Sequence, residues 1–301
     1  MLKLSSVALT FALIFTSSVH NAHAQIYKYQ GSDGKWHYSD KKPVSKQTKV
    51  ESINYHSKTK KTLKPHLVLS HSDNGTDFIV HNPYFAPIQI FLSVGTHKLS
   101  KLIPENSQEA VYQSPTRIFS GEHRFYYVIG SPDSRHTQSH YLPPFKNFKP
   151  MKVTQSFKGR FSHNSQPSLY AIDIGMTVGT QISAARGGVV ISTKDDYASA
   201  GVSSPFFIDK ANVVRVLHDD GTYAVYAHLL LGSIRVKAGD KVKAGQILAL
   251  SGNTGYSTGP HLHFVIRKND KGRSKSLPFK LMQKGSPLKP VQGMWLLPTG
   301  H

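Results

Sequence analysis

The chain contains no cysteine, and acidic residues are scarce, since 17 Asp and Glu stand against 37 Lys and Arg. The absence of cysteine excludes disulfides and thiolate zinc sites, so any metal must be held by histidine and carboxylate side chains. The net charge of +20 favours a polyanionic partner, although a solvated basic surface gives the same count.

Several catalytic fingerprints are also missing. The sequence has no H-E-x-x-H pair, which excludes the zinc helix of thermolysin-like proteases, and no G-x-S-x-G nucleophile elbow. Walker-type and dinucleotide-binding patterns are absent, and no nucleic-acid-binding motif is present. Nucleotide, nucleic-acid and serine-hydrolase functions are therefore disfavoured.

Long apolar runs are lacking beyond the first residues. Lys3, the apolar residues 7–15 and the small residues before Gln25 predict a secretory signal peptide over residues 1–24. A membrane anchor is the competing reading, but the run is shorter than the roughly 20 residues that span a bilayer. We therefore expect no membrane span and an exported protein, periplasmic or extracellular, which disfavours nucleic acid and leaves wall polymers or anionic membrane surfaces as polyanions.

Composition divides the rest of the chain. Alternating aromatic residues around an Asp-Gly turn predict a short β-hairpin domain over residues 25–43. It resembles a domain of unknown function found at the N-termini of exported proteobacterial proteins. A lysine-rich flexible linker is expected over 44–65, a β-sandwich-like accessory domain over 66–145, a further β-rich domain over 146–275 and a C-terminal tail over 276–301.

The most informative motif is His261-Leu262-His263, which follows a glycine-rich loop and continues into an apolar run. Side chains on a strand alternate faces, so His261 and His263 point the same way. Two imidazoles on one face suit a metal ion, or a metal ligand beside a catalytic proton carrier. A chance pair is the alternative in a chain with 17 histidines.

Three more side chains complete a possible site. Asp173 lies within an apolar strand, where a buried carboxylate is costly unless it is paired or bound to metal. His228 ends the second strand of a predicted hairpin, and His163 lies on a polar loop upstream of Asp173. Zinc commonly takes three protein donors and an open fourth position, and His163, Asp173 and His263 could supply that set.

These segments resemble, in order, the lysostaphin/LytM-type zinc metallopeptidases, which are peptidoglycan endopeptidases. The matching text is Phe161-Ser162-His163, Tyr170-Ala171-Ile172-Asp173, Val178-Gly179-Thr180, Ala184-Ala185-Arg186-Gly187-Gly188, Tyr226-Ala227-His228-Leu229, Val236-Lys237-Ala238-Gly239-Asp240 and Gly259-Pro260-His261-Leu262-His263. The resemblance implies Asp173 and His263 as zinc ligands and His228 and His261 as catalytic histidines. The family's usual first ligand falls at Leu169 here, so the third ligand is expected to be His163.

The expected fold is mainly β, because short β-branched runs alternate with glycine-containing turns and no long helical periodicity is present. We expect an antiparallel β-sandwich or folded sheet of the LytM type, preceded by the accessory domain, with the groove walled by the Tyr256 loop and residues 195–209. The resemblance implies a zinc-dependent endopeptidase that cuts peptide cross-links of peptidoglycan, either glycine bridges or direct D-alanyl–diaminopimelate links. The exported, cysteine-free chain and its proteobacterial-type N-terminal hairpin favour a Gram-negative periplasm, and hence the direct link and a D,D-endopeptidase. The alternative is a non-catalytic relative that binds the wall and activates other hydrolases.

Overall fold

A computed structural model describes residues 24–30, 36–39, 50–55, 63–137, 139–198, 200–201 and 207–297. Within these ranges the chain forms strands and turns and contains no α-helix, so the mainly β prediction is confirmed. None of the described residues forms a helix long and apolar enough to cross a membrane. Apart from Ala24, the predicted signal peptide lies outside the described residues.

The N-terminal strands are β1 (Ala24–Gln30), β2 (Trp36–Ser39) and β3 (Val50–Tyr55), and they form an antiparallel sheet in the order β2-β1-β3. The predicted hairpin is the β1–β2 pair. Strand β3 falls inside the stretch predicted as a flexible linker, and that interpretation is wrong for its six residues. Its β-favouring residues were outweighed by the lysines that flank them.

The accessory domain is a small sandwich of two three-stranded antiparallel sheets, in the orders β4-β5-β8 and β7-β6-β9. Its strands are β4 (His66–Ser72), β5 (Gly75–Asn82), β6 (Ile88–Val94), β7 (His97–Ile103), β8 (Ser107–Ser114) and β9 (His123–Ile129). Strands β5 and β6 alternate buried and half-buried residues, which places Phe78, Val80, Ile88 and Ile90 in the interior.

The remaining chain builds the domain that carries the candidate site. Its strands are β10 (His140–Tyr141), β11 (Phe145–Lys146), β12 (Met151–Gln155), β13 (Ile172–Gly175), β14 (Gln181–Ser183), β15 (Gly188–Lys194), β16 (Ala200–Gly201), β17 (Val213–Leu217), β18 (Tyr223–Ala227), β19 (Lys241–Val242), β20 (Ile247–Leu250), β21 (Gly255–Tyr256), β22 (His261–Asp270), β23 (Arg273–Leu277), β24 (Lys280–Gln283), β25 (Ser286–Leu288) and β26 (Trp295–Leu296). The main sheet has the order β19-β15-β17-β18-β22-β13-β12-β26, with β23 paired to β22.

The two faces of this sheet differ in what covers them. One face buries Ile172, Ile174, Leu262 and Phe264 in the largest apolar core. The opposite face carries the alternate residues, including Asp173 and the histidines. Part of that opposite face packs against the accessory domain, because Val225 and Val265 share an apolar cluster with Val80, Ile88 and Ile90.

Local strand predictions were correct in places. The predicted hairpin is β17–β18. The apolar run Ile247–Leu250 also predicts a strand, and it forms β20. The β-branched run over residues 184–193 predicts a strand from Ala184, but β15 begins only at Gly188. Residues 236–242 predict a tight strand–turn–strand and contribute a turn and the two-residue strand β19. The tail packs back on the domain, since β26 pairs with β12 and both Leu281 and Leu296 are fully buried.

Candidate metal centre and active site

Three of the expected residues are brought together by two paired strands. Strand β13 lies antiparallel to β22, with Asp173 opposite His263 and Gly175 opposite His261. Cross-strand partners point to the same face, so Asp173, His261 and His263 project from the sheet while their neighbours enter the core. The alternation visible in the sequence therefore produces this part of the site.

His163 reaches the same point from the loop between β12 and β13. Its backbone N–H donates to Gly159 O, and its Nδ1 lies 3.1 Å from Ser156 O. A carbonyl oxygen only accepts, so Nδ1 carries the proton and Nε2 has a lone pair. The imidazole is fully buried, with Nε2 3.2 Å from Asp173 Oδ1 and 3.3 Å from His263 Nδ1.

The three ligand atoms form a compact triangle, because His263 Nδ1 lies 2.9 Å from Asp173 Oδ1. A lone pair on His163 Nε2 facing a carboxylate oxygen is unfavourable unless a proton or a cation lies between them. Zinc bonds of about 2.0–2.1 Å in tetrahedral geometry separate neighbouring ligands by about 3.3 Å. The residues present therefore fit a zinc ion, with His163, Asp173 and His263 as donors.

Gln155 organises this triangle and was missed in the sequence. Its Nε2 donates to Asp173 Oδ2 at 2.9 Å, and its Oε1 accepts the backbone N–H groups of Phe161 and Ser162. A register shift in β12 between Val153 and Gln155 places Gln155 opposite Asp173. A polar residue in an otherwise alternating strand was the available signal, but the bulge that aims it is not readable from sequence.

Two further histidines flank the triangle. His261 Nε2 lies 3.7 Å from Asp173 Oδ1, and the ring of His228 lies 4.5 Å from that of His261. Nδ1 of His261 faces Gly259 O at 2.8 Å, and Nδ1 of His228 faces Thr254 O at 2.5 Å. Both rings therefore donate through Nδ1 when neutral, which leaves Nε2 as the basic nitrogen of each.

His228 has an unusual backbone conformation. Ala227 pairs with His263 at the end of β18, so His228 is the first residue beyond the sheet. Its φ of +65° lies in the left-handed region, which costs a residue with a side chain about 1 kcal/mol or more. This turn brings its ring to the centre, 5.9 Å from that of His263.

Burial and neighbouring imidazoles set the protonation states. Burial raises the pKa of Asp173, but the adjacent His163 and His263 outweigh it and hold that pKa well below its usual range. Burial, followed by the charges of His261 and His263, lowers the pKa of His228 to about 3. Burial also lowers the pKa of His263, against the effect of Asp173. The centre thus favours an ionised Asp173 beside neutral His228 and His263.

The centre opens into a groove of about 1420 Å³. Phe161 and Tyr256 stack at its side with ring centroids 6.0 Å apart, and Ile208 also lines it. The Tyr256 loop and part of the predicted 195–209 segment therefore border the groove. His218 precedes the turn of the predicted hairpin, which favours a surface position, but it is 3% exposed and lies outside the groove lining.

Comparisons with known proteins agree with these features. The model of "Peptidase family M23" matches residues 168–288, and that of "Domain of unknown function (DUF4124)" matches residues 13–60. Peptidoglycan DD-endopeptidase ShyA of Vibrio cholerae is 36% identical over 120 residues, which is 40% of this chain and 24% of that protein. Lysostaphin of Staphylococcus simulans is 38% identical over 105 residues, 35% of this chain and 19% of its own length.

Among solved structures, the catalytic domain of the prophage-encoded M23 protein EnpA from Enterococcus faecalis has 31% identity and a TM-score of 0.31, with coverage of 44% of this chain and 92% of that chain. The chain spans about a fifth to a quarter of the length of the first curated relatives it matches. The family resemblance seen in the motifs is confirmed by the family model, and the chain carries a peptidase domain of family M23 behind an N-terminal DUF4124 region.

Proposed function

We propose that this protein is an exported zinc metalloendopeptidase that hydrolyses peptide cross-links of peptidoglycan at D-alanyl–diaminopimelate bonds. One observation carries the proposal: His163 Nε2, Asp173 Oδ1 and His263 Nδ1 converge within 3.3 Å of one another beside two further imidazoles in an open groove. The similarity to a peptidoglycan DD-endopeptidase supports the substrate class. The signal-like start supports an extracytoplasmic location, in the periplasm or outside the cell.

His163, Asp173 and His263 would hold the zinc ion as two imidazoles and one carboxylate. When bound, zinc supplies Lewis acidity that brings the pKa of water to about 7 and polarises a carbonyl group. Two neutral ligands and one anion leave a net positive charge at the centre, which favours the negative charge that develops on a carbonyl oxygen during hydrolysis.

His228 and His261 would handle the protons. No glutamate lines the described part of the groove, so the general base must be one of these two imidazoles. Each donates Nδ1–H to a backbone carbonyl, which fixes the ring and leaves Nε2 to accept a proton. One would take the proton from the attacking water, and the other would stabilise the oxyanion or protonate the leaving amine.

The non-catalytic alternative is disfavoured by the same geometry. A relative that only binds the wall and activates other hydrolases has no need for a complete donor triangle or for two oriented imidazoles. Gln155 also donates a hydrogen bond to Asp173 Oδ2, the oxygen that faces away from the triangle. The proposed ligand Asp173 is therefore oriented by a neighbouring side chain, as metal ligands usually are.

The test is digestion of cross-linked muropeptide dimers by the purified chain lacking residues 1–24, loaded with zinc and analysed by mass spectrometry. Cleavage of the D-alanyl–diaminopimelate bond is expected, and pentaglycine should remain intact. Surviving dimers together with cleaved pentaglycine would overturn the proposed bond. If the zinc-loaded chain cuts neither substrate, the non-catalytic role is the better description.

A further inference from the structure

The groove is strongly cationic beyond the candidate metal centre. Among the described residues that line it, Asp173 is the only carboxylate. The cations of the lining are Lys158, Arg160, Arg215, Arg267 and Lys289. Because Asp173 is a proposed zinc ligand, no other carboxylate of the described groove lining is left to neutralise these cations.

Arg215 and Arg267 differ from the others in their burial. Both are half-buried on the sheet itself, whereas Lys158, Arg160 and Lys289 are exposed at the rim. Neither arginine forms an ion pair with any residue that the structure describes. The largely buried Arg186, by contrast, pairs with Asp220 at 2.8 Å.

The hydrogen bonds of the two guanidinium groups go to neutral partners. Arg267 Nε donates to Pro167 O at 2.9 Å and its Nη2 donates to Ser168 Oγ at 3.2 Å, while Arg215 Nη1 donates to Ser192 Oγ at 3.3 Å. Burial lowers the pKa of Arg267, the neighbouring Tyr223 partly offsets this effect, and the positive charge of Arg215 lowers the pKa further. Two cations that repel each other in a partly desolvated groove call for an anion.

The pair lies on the same face as the catalytic side chains. Arg267 follows His263 by four residues on β22, so it lies about 13 Å farther along the strand on the same side of the sheet. Arg215 reaches the same region from β17, opposite Val225 of β18. Val225 and Ala227 line the groove between β17 and β22, so a peptide could run from the histidines to the arginines.

The accessory domain covers part of this face beside the arginines, because Val225 lies opposite Arg215 and Val265 lies between His263 and Arg267. Val225 and Val265 pack with Val80, Ile88 and Ile90 of the accessory domain. Tyr127 of that domain lies close enough to Arg215 for their charges to interact. The accessory domain therefore borders the part of the groove where the two arginines lie.

We propose that Arg215 and Arg267 form a carboxylate-binding subsite for an acidic peptide, holding a carboxylate several bonds away from the cleaved amide. The proposal rests on the proposed function, because it assigns the acidic stem peptide as the part of the substrate that lies beside the two arginines. Guanidinium groups recognise carboxylates through paired N–H donors, and partial desolvation strengthens such bonds.

Arg215→Gln is the principal variant, since Arg215 does not hold the loop that carries His163. Arg267→Lys is the second variant, because it keeps the charge but loses the paired donors. Arg235→Gln removes one exposed positive charge outside the groove and serves as the matched control. Zinc content should be equal in all four proteins, including the wild type.

The measurement is kcat and KM on cross-linked dimers, each prepared with its stem carboxylates ionised or converted to amides. The wild type should prefer the ionised dimer, and Arg215→Gln should raise KM for it by about tenfold to a hundredfold while changing the amidated dimer little. The KM of Arg267→Lys for the ionised dimer should fall between those of the wild type and Arg215→Gln. The KM of Arg235→Gln should match that of the wild type. Equal losses on both dimers, or no loss, would overturn the subsite.

A binding measurement separates this proposal from the proposed function. Titration calorimetry with the free tetrapeptide stem, ionised or amidated, reports the subsite without any hydrolysis. A wild type that binds the ionised peptide more tightly yet cuts no dimer would retain the subsite and refute the enzyme. Hydrolysis with no preference between the two peptides would retain the enzyme and refute the subsite.

Discussion

Gln155 and Asp173 are joined by a hydrogen bond of 2.9 Å that fixes which carboxylate oxygen faces the metal centre. With Oδ2 engaged by the amide, Oδ1 is the oxygen shared with His163 and His263. The Oε1 atom of Gln155 also accepts hydrogen bonds from two backbone N–H groups of the loop that carries His163. One side chain thus aligns two of the three proposed ligands.

Replacing Gln155 by Leu should weaken zinc binding about tenfold to a hundredfold, because outer partners of metal ligands typically contribute that much. The measurement is competition with a zinc chelator of known affinity. Gln292→Leu, an exposed glutamine of the same groove, is the matched control and should bind zinc like the wild type. Unchanged affinity in Gln155→Leu would show that Asp173 is oriented by the strand alone.

His163→Ala should abolish stable zinc binding and activity, since Asp173 and His263 alone are too few donors for a firm site. Zinc stoichiometry by elemental analysis is the first measurement, and circular dichroism verifies that the domain remains folded. His140→Ala removes an exposed histidine outside the site and is the control. One tightly bound zinc ion per chain in His163→Ala would mean that another donor completes the set.

The sequence was sufficient to predict the strand-borne part of the site. His261 and His263 share a face because side chains alternate, and Asp173 lies opposite His263 because β13 and β22 pair in that register. His228 directly follows the second strand of its predicted hairpin. Asp173, His261 and His263 belong to strands whose periodicity is visible in the chain.

What could not be predicted depends on irregular backbone and on contacts between domains. Gln155 reaches Asp173 through a register shift, and His228 turns inward through a left-handed backbone conformation. Part of the face that carries the site is covered by the accessory domain, through apolar contacts made by Ile88 and Ile90. Bulges, positive φ values and packing between distant segments leave no local periodic signal.

His261→Ala should keep zinc bound but lower turnover at least about a hundredfold, because general acid–base groups usually contribute that much. His261 is outside the proposed ligand set, so zinc stoichiometry should stay at one. Turnover of cross-linked dimers and zinc content are measured on the same preparation, with His140→Ala as the control. Near-normal turnover would remove His261 from the catalytic machinery.

His218 is a buried histidine away from the metal centre, and its protonation is linked to stability. Thr222 Oγ1 donates to Asp220 Oδ1, so His218 Nδ1–H donates to Thr222 Oγ1 at 3.0 Å. Its Nε2 is buried with no hydrogen-bond partner among the described residues. Burial, followed by the charge of Arg186, lowers the pKa of His218 to about 3.

The unfolded chain should therefore bind a proton at His218 near pH 6.5, whereas the folded protein should not until about pH 3. Stability is unaffected by this group above pH 6.5 and falls as the pH drops toward 3, with a loss of about 2 kcal/mol at pH 5.

This loss of unfolding free energy is measured by urea unfolding of the wild type and of His218→Asn at pH 7.5 and pH 5. Asparagine retains an N–H donor without titrating, so the variant should lose about 2 kcal/mol less than the wild type between the two pH values. The exposed-site control His140→Ala should behave like the wild type. If the wild type and His218→Asn lose the same unfolding free energy between pH 7.5 and pH 5, His218 takes up its proton without opening the fold.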